Sequence, residues 1–310
     1  MPRLTHMIAV AAAALALTAT AAVPAVAAQR PAAHQVKEYY LSLGDSLSVG
    51  DQPNAQGVTL PTDQGYADQL YAVLKHTDSD LQLVKLGCPG ETSHTLNLGG
   101  ICGYKGAHRF SLTGHTGAQL AAALAFLHFH PGGVPLITID IGANDLNNCI
   151  ALGVISKIVA CLPPVFAALQ KNLAFTLAKL RAADPHATIV GMTYYDPELV
   201  AWLEGTTAGQ QFAQASIILA TQFNQLLVGD YQAVKAPVAD VFTAFSTTDM
   251  THLVTVPPFG KLPKDVARIC QWTWECAPKP VGPNEHANKT GYGVIAAAFV
   301  AALSHIRNPF

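Results

Sequence analysis

Four short stretches of the chain carry residues that could together cleave an ester. Ser46 follows an apolar run in YYLSLGDSLSVG, and Gly90 lies in LGCPGETS. Asn144 lies in IGAND, and His286 lies in NEHANKTGYG. A free serine hydroxyl is a weak nucleophile, so it needs a neighbouring base before it can attack a carbonyl carbon. A histidine is the residue most often used as that base.

These residue types predict a division of labour. We expect Ser46 to attack the carbonyl and His286 to take its proton and pass it to the leaving alcohol. Three donors are expected to form the oxyanion hole: the backbone N–H groups of Ser46 and Gly90 and the side-chain amide of Asn144. Glycine suits position 90 because the backbone there must approach the substrate closely. Each motif alone could also be a turn or a helix cap, so their occurrence together favours an enzyme.

The apolar pattern of the chain predicts the scaffold that these residues need. Short strands rich in Val, Ile and Leu are predicted at 38–43, 81–86, 135–141, 187–193 and 236–242. Helices are predicted at 63–76, 115–128, 164–183, 206–229 and 288–305. This alternation predicts an α/β fold, a three-layer α/β/α sandwich around a central, mostly parallel five-stranded sheet.

The predicted sheet would bring the four stretches together. Ser46, Gly90 and Asn144 each follow a predicted strand, and His286 precedes the last helix. Active sites of such sheets lie at the carboxyl ends of the strands, so we expect the four residues to meet there. The proline-rich stretch 243–287 is predicted to be a long irregular section, and sections of that length are usually functional.

The four motifs resemble the sequence blocks of the SGNH, or GDSL, family of serine esterases and lipases. GDSLS contains Ser46, Gly90 supplies the second block, GAND contains Asn144, and GYG follows His286. The resemblance covers residues 38–305. It implies a flavodoxin-like SGNH hydrolase fold and a carboxylic ester hydrolase that needs no metal and no other cofactor. Together with the cysteines, the chain resembles the secreted actinobacterial branch of the family.

The chain departs from the family pattern just before its histidine. The family usually carries an acid there, whereas this chain has Pro283 three residues ahead and Asn284 two residues ahead of His286. A third group must still orient the imidazole and fix its tautomer. We predict that the backbone carbonyl of Pro283 or the side-chain oxygen of Asn284 does so, giving a Ser–His dyad with a neutral orienting group. Glu285 is expected to point elsewhere.

The first residues of the chain have the pattern of an export signal. A single early arginine is followed by an alanine-rich apolar stretch that ends in AVAA. We predict a signal peptide over 1–28, cleaved near Ala27 or Ala28, and a flexible lead-in over 29–36. An uncleaved membrane anchor is the less favoured alternative. Residues 37–310 are predicted to form a single catalytic domain that is secreted and has no stable membrane anchor.

Export changes the interpretation of the six cysteines. In an oxidising compartment an even number of cysteines favours disulfides. A metal site is the alternative, but no CxxC spacing supports it. Because the cysteines fall into three close pairs in loop-like segments, the predicted bridges are Cys88–Cys102, Cys149–Cys161 and Cys270–Cys276.

Composition limits the partners of the protein. Charged residues make up 12% of the chain and the formal net charge is −2, which argues against nucleic-acid binding. The expected substrate is a small-molecule or lipid ester, and an acetylated carbohydrate or a phospholipid is not excluded. A catalytically silent binding protein is the alternative outside the enzymes. Trp272 and Trp274 either wall a substrate pocket or pack under a disulfide, and nothing in the sequence forbids a monomer.

Overall fold

The computed structural model describes residues 37–101 and 117–304. All of them belong to one unit, Val36–Phe310. The predicted signal peptide, the lead-in and Cys102 lie outside the described residues. The predicted signal cleavage and the predicted Cys88–Cys102 bridge therefore stay predictions.

The centre of the fold is a five-stranded parallel sheet. Nine strands are described: β1 (Tyr39–Gly44), β2 (Gln52–Pro53), β3 (Thr59–Leu60), β4 (Gln82–Lys85), β5 (Leu136–Asp140), β6 (Thr188–Met192), β7 (Val238–Ala239), β8 (Leu253–Val256) and β9 (Gly260–Pro263). The sheet has the strand order β4-β1-β5-β6-β7, and all four pairings are parallel. The predicted fold class is confirmed. β5 is completely buried, as expected of a strand covered by helices on both faces.

Helices cover the sheet. The described α-helices are α1 (Ser46–Val49), α2 (Tyr66–Leu74), α3 (Ser93–Leu98), α4 (Gln119–Phe129), α5 (Ala143–Ile150), α6 (Ile155–Ala183), α7 (Thr207–Ala233), α8 (Val241–Ala244), α9 (Lys264–Trp272) and α10 (Lys289–Ser304), and a 3₁₀ helix spans Pro197–Glu204. α7 contacts the 3₁₀ helix and α6, and α10 packs on α2. These contacts close the core around the central strands.

Helix α6 begins nine residues before its predicted start. Pro163 and Pro164, which cannot donate backbone hydrogen bonds, lie inside the helix rather than at its start. The helix nevertheless continues through both prolines, because Ile158 and Leu162 lie buried on the same face as the core leucines further along. By length and composition α6 could cross a membrane, but its Leu169, Leu173 and Leu177 are fully buried in the core.

Two further expectations about the second half of the chain are wrong. The last strand of the sheet spans two residues rather than 236–242, because Asp240 accepts a hydrogen bond from the Thr243 N–H and starts α8. The stretch 243–287 is not irregular throughout. It contains the antiparallel hairpin β8–β9 and the helix α9, whose buried residues include Val266 and Ile269.

Two of the three predicted disulfides are present. Cys149 is bonded to Cys161, joining α5 to the first turns of α6. Cys270 is bonded to Cys276, closing the loop after α9. The two cysteines of each bridge lie close together along the chain, as the prediction from sequence proximity requires.

Candidate active site

Ser46 is the first residue of α1 and lies immediately beyond the carboxyl end of β1. The chain turns sharply there. Gly44 has φ of +138°, and a Cβ at that position would lie 2.3 Å from the Asp140 carbonyl oxygen, so the position requires glycine. The Asp45 carboxylate accepts from the Leu47 N–H at 2.9 Å and caps the helix. The N–H of Ser46, at the first position of the helix, has no hydrogen-bond partner in the described residues.

Two buried carboxyl groups, those of Asp45 and Asp140, contact the turn that carries Ser46. Asp45 accepts a hydrogen bond from the Tyr194 hydroxyl at 2.9 Å, and Asp140 accepts one from the Tyr66 hydroxyl. Burial raises the pKa of Asp45 to about 6 and raises the pKa of Asp140 well above its ordinary value. For Asp140 burial is the larger cause of the raised pKa, and the neighbouring charge of Asp45 adds to it.

Gly90 occupies the third position of a β-turn. The Glu91 N–H donates to the Cys88 carbonyl at 3.1 Å, Pro89 precedes Gly90, and Gly90 has φ of +76°. This is the pattern of a type II turn, in which the third position needs glycine or asparagine. The turn therefore gives a structural reason for glycine at position 90, in addition to the predicted role in the oxyanion hole.

Gln119 connects this turn to the strand before Ser46. Its side-chain oxygen accepts from the Gly44 N–H at 2.7 Å, and its NH₂ group donates to the Gly44 carbonyl at 2.9 Å. The same NH₂ group donates to the Glu91 carboxylate at 3.1 Å. Gln119 is 2% exposed, so these contacts are shielded from water. Gln119 lies in none of the four sequence motifs, so no pattern in the sequence pointed to it.

The Asn144 side chain has a fixed orientation. Its NH₂ group donates to the Glu91 carbonyl at 3.0 Å, and its oxygen accepts from the Asn147 NH₂ group at 3.0 Å. The second amide hydrogen has no hydrogen-bond partner in the described residues, and Asn144 lines the cavity described below. Asn144 is thus hydrogen-bonded to the segment that carries Gly90. This contact links two of the three predicted oxyanion donors.

His286 is oriented by the side chain of Asn284. Asn284 Oδ1 lies 2.8 Å from His286 Nδ1 and accepts from the His286 backbone N–H at 3.0 Å. The backbone N–H of His286 can only donate, so its bond to Oδ1 directs the amide oxygen rather than the nitrogen toward the ring. The Asn284 NH₂ group donates to Thr59 Oγ1 at 2.8 Å. The Nδ1 atom therefore carries the proton, and Nε2 is the free acceptor. The carbonyl of Pro283 has no hydrogen bond to His286 in the described residues.

Burial sets the charge of the imidazole. It lowers the pKa of His286 to about 4, so the ring is neutral at pH 7. Glu198 and Glu285 lie on the same cavity as the ring. The backbone oxygen of Glu285 accepts from the Tyr195 hydroxyl at 2.7 Å, and its carboxylate makes no hydrogen bond to His286 in the part of the chain described.

The loop closed by Cys270–Cys276 holds the backbone of the histidine. The Trp274 N–H donates to the His286 carbonyl at 3.0 Å. Trp272 packs edge-on against Phe245, with the Arg268 guanidinium over its ring. Neither tryptophan lines the cavity at the site. Packing beneath the disulfide is therefore the role that the structure gives them, rather than walling a substrate pocket.

One cavity brings three of the predicted site residues together. Ser46, Asn144 and His286 line it, whereas Gly90 does not. No hydrogen bond joins the Ser46 hydroxyl to the His286 ring within residues 37–101 and 117–304. Catalytic hydrogen bonds are often long without substrate and shorten once it binds, so the missing bond does not argue against the predicted pair.

Comparisons with solved structures show where this fold occurs. Phospholipase A1 from Streptomyces albidoflavus NA297 is 17% identical with a TM-score of 0.52, and the extracellular lipase from Streptomyces rimosus is 16% identical with a TM-score of 0.54. Each match covers 86% of this chain and 99% of the other. The acetylxylan esterase Axe2 from Geobacillus stearothermophilus is 15% identical with a TM-score of 0.50, over 87% and 95% of the two chains. At these identities the likeness shows a shared fold.

Sequence comparison identifies the family. No curated protein sequence matches the chain. The profile of the GDSL-like Lipase/Acylhydrolase family matches residues 42–292, which include Ser46, Gly90, Asn144 and His286. With more than half of its length matched, the chain belongs to the GDSL-like lipase/acylhydrolase family of ester hydrolases.

Proposed function

We propose that the protein hydrolyses carboxylic esters through an acyl-enzyme on Ser46, with His286 as general base and Asn284 as a neutral orienting group. The observation that carries the proposal is the placement of His286. Its Nδ1 is held by an amide oxygen that Thr59 keeps in position, in the same cavity as Ser46 and Asn144. This arrangement fixes the tautomer that leaves Nε2 able to accept a proton.

The reaction proceeds in two halves. Ser46 Oγ forms a bond to the carbonyl carbon while its proton passes to His286 Nε2. The carbonyl oxygen becomes an oxyanion, held by the N–H groups of Ser46 and Gly90 and the Asn144 amide. The intermediate then expels the alcohol, which leaves with the proton from Nε2. Water next attacks the acyl carbon and gives one proton to His286 Nε2. The bond from the carbon to Ser46 Oγ then breaks, Oγ takes the proton from Nε2, and the carboxylic acid is released.

A fluorophosphonate probe tests the nucleophile. A competent site forms a bond from Ser46 Oγ to phosphorus and expels fluoride. We expect labelling of the wild-type protein, no labelling of Ser46→Ala, and normal labelling of Ser48→Ala. Ser48 is a matched control because it is buried and donates to the Asp45 carbonyl at 2.7 Å without lining the cavity. An unlabelled wild-type protein would support the silent binding protein instead.

Ester turnover tests the reaction itself. We expect Ser46→Ala to lower kcat for a p-nitrophenyl ester by at least about 10³-fold, as removal of a nucleophile does in serine hydrolases. Full activity of that variant would overturn the proposed mechanism. The apolar lining of the cavity favours an acyl chain over an acetylated carbohydrate, so acetylated xylan is the substrate for comparison.

Export is also proposed. The two described disulfides are compatible with an oxidising compartment, and the first residues match a secretory signal. Amino-terminal sequencing of the protein from culture medium should give a chain that begins after Ala27 or Ala28. Retention of the whole chain inside the cell would contradict this proposal.

A further inference from the structure

The cavity at the site has a polar end and an apolar end. Ser46, Asn144 and His286 form the polar end. Most of the remaining wall is apolar and includes Leu146, Ile150, Ile155, Ile158, Leu219 and Phe223, although Asp45, Asn147, Glu198, Ser216 and Glu285 also line it. The alcohol part of an ester would gain little from such a wall if it carried sugar hydroxyls, whereas an alkyl chain would bury its surface against it.

The direction of the helices shows which residues are remote from Ser46. A Cβ on Gly142, just before α5, would lie 3.2 Å from both Leu169 and Phe223. From there α5 runs eight residues to Ile150, about 12 Å at 1.5 Å per residue. α6 runs alongside, from Leu169 back to Ile155. Ile150, Ile155 and Ile158 therefore line the end of the cavity that is remote from Ser46.

The remote end is held by a covalent bond. The Cys149–Cys161 disulfide joins α5 to α6, with a Cα–Cα distance of 5.6 Å. Pro163 and Pro164 leave the carbonyls of residues 159 and 160 without their usual partners in the helix. The bridge therefore ties down the first turns of α6, where the helix is weakest, and keeps the wall in place.

The size of the cavity limits the chain that it can hold. Its volume is about 140 Å³. An apolar cavity of about 150 Å³ holds one benzene molecule, or six carbon atoms. An acyl group of about six carbons would fill the space, whereas an acyl group of a long-chain lipid would exceed it.

We propose that this cavity is a medium-chain acyl site and that Ile158, held in place by the Cys149–Cys161 bridge, sets the upper length of the acyl group. The inference rests on the proposed function, since it names the substrate class of the same site. It adds a length limit and the residue responsible for it. Ile158 points inward and is buried, while its neighbour Val159 is 49% exposed.

The test is a series of p-nitrophenyl esters from acetyl to hexadecanoyl. We expect kcat/KM to rise by up to about fourfold per added CH₂ and to peak between butanoyl and octanoyl. Ile158→Ala should move the peak at least two carbons higher and raise kcat/KM for the decanoyl ester about tenfold. The matched control Val159→Ala, on the outer face of the same turn, should leave the profile unchanged. A steady rise to hexadecanoyl, or equal profiles for the two variants, would overturn the inference.

A binding experiment separates this inference from the proposed function. Methyl alkyl ketones resemble the ester but cannot be hydrolysed, so their binding to Ser46→Ala protein needs no catalysis. Titration calorimetry should show affinity rising to about a six-carbon chain and then falling, with the limit moved by Ile158→Ala. Chain-length-dependent binding without ester turnover would refute the proposed function alone. Turnover with ketone affinity that does not depend on chain length would refute the acyl site alone.

Discussion

The side-chain oxygen of Asn284 lies 2.8 Å from Nδ1 of His286, at the position where an ionised acid would complete a catalytic triad. The amide supplies a dipole rather than a full charge, so it fixes the tautomer with less stabilisation of the imidazolium. The backbone N–H of His286 donates to the same oxygen and so keeps the NH₂ group from turning toward the ring, while Thr59 accepts a hydrogen bond from that NH₂ group. The pair Asn284–His286 thus keeps the geometry of a triad and changes its electrostatics.

Replacing Asn284 by aspartate should strengthen the base. A carboxylate beside the ring favours the imidazolium, so the pKa of His286 should rise by one unit or more. In Asn284→Asp the acid limb of the pH profile of kcat/KM should move up by that amount, and the rate at pH 8 should increase several-fold. Asn284→Ala, which removes the orienting oxygen, should lower the rate. Identical pH profiles for Asn284→Asp and the wild type would contradict the role given to this side chain.

The wild-type enzyme should stay active in mild acid. Burial lowers the pKa of His286 to about 4, and the base works only when neutral. The activity should therefore be retained from pH 8 down to about pH 5 and fall near pH 4. The carboxylates of Glu198 and Glu285 on the same cavity would oppose the shift if they were ionised. An acid limb at or above pH 6.5 would show that their charges, rather than burial, control the ring.

Folding stability should decline between pH 5 and pH 8. Burial raises the pKa values of Asp51, Asp196 and Glu275 to about 7. The native state then binds more protons than the unfolded chain over this range, so stability is lost as pH rises through the folded pKa. The lowered pKa of His286 makes stability rise with pH below pH 6.5. This is the contribution of one group, whereas several carboxyl groups lower the stability. We expect Tm to be at least about 4 °C lower at pH 8 than at pH 5.

Asp51 offers a direct check of this pH dependence. It is 3% exposed, and its Oδ1 atom has no hydrogen-bond partner in the described residues. Asp51→Asn removes a group that must lose its proton inside the fold, so Tm should fall less between pH 5 and pH 8. Glu204→Gln, at an exposed position, is the control for removing a negative charge. Equal pH dependence of Asp51→Asn and the wild type would show that burial of this carboxyl has no such effect.

Local sequence was sufficient for the parts of the molecule that depend on neighbours in the chain. Buried parallel strands have an apolar pattern, so the sheet and the strand-end positions of Ser46 and Asn144 could be predicted. Short separations likewise indicated the Cys149–Cys161 bridge. Helix α6 was misplaced because the prolines outweighed the apolar face that continues before them. Asn284 could be named only as one of two candidates, because its choice over Pro283 depends on Thr59, which lies far away in sequence.

Asn144 should contribute more to the rate than to substrate binding. Its amide is aimed by Glu91 and Asn147, so it can meet the oxyanion without reorganisation. Removing one such donor typically costs about 10²–10³ in kcat. We expect that loss for Asn144→Ala with little change in KM. Asn147→Ala removes the contact to the Asn144 oxygen and changes the cavity lining but removes no predicted oxyanion donor, so it should cost far less. Equal losses for the two variants would show that the effect is structural.

Gln119 is a positioning residue whose removal should lower kcat without weakening substrate binding. It bonds both backbone groups of Gly44, two residues before Ser46, and the carboxylate of Glu91, next to Gly90. It does not line the cavity. In Gln119→Leu the Gly44 N–H loses its bond to the side chain, so the Ser46 turn and the Gly90 turn lose their shared support. We expect kcat to fall about 10- to 100-fold, KM to change less than threefold, and Tm to drop.

A loss of stability alone would not produce that pattern. Asn97→Leu is the matched control, because Asn97 makes two hydrogen bonds between helices, to Asn172 and Thr176, and does not line the cavity. It should lower Tm similarly while leaving kcat intact. Gln119→Glu keeps an acceptor for the Gly44 N–H but faces Glu91 with a second carboxyl, and two such groups share a proton more readily as the pH falls. Its kcat relative to wild type should therefore recover between pH 7 and pH 5, whereas a constant ratio would mean that Gln119 acts only through stability.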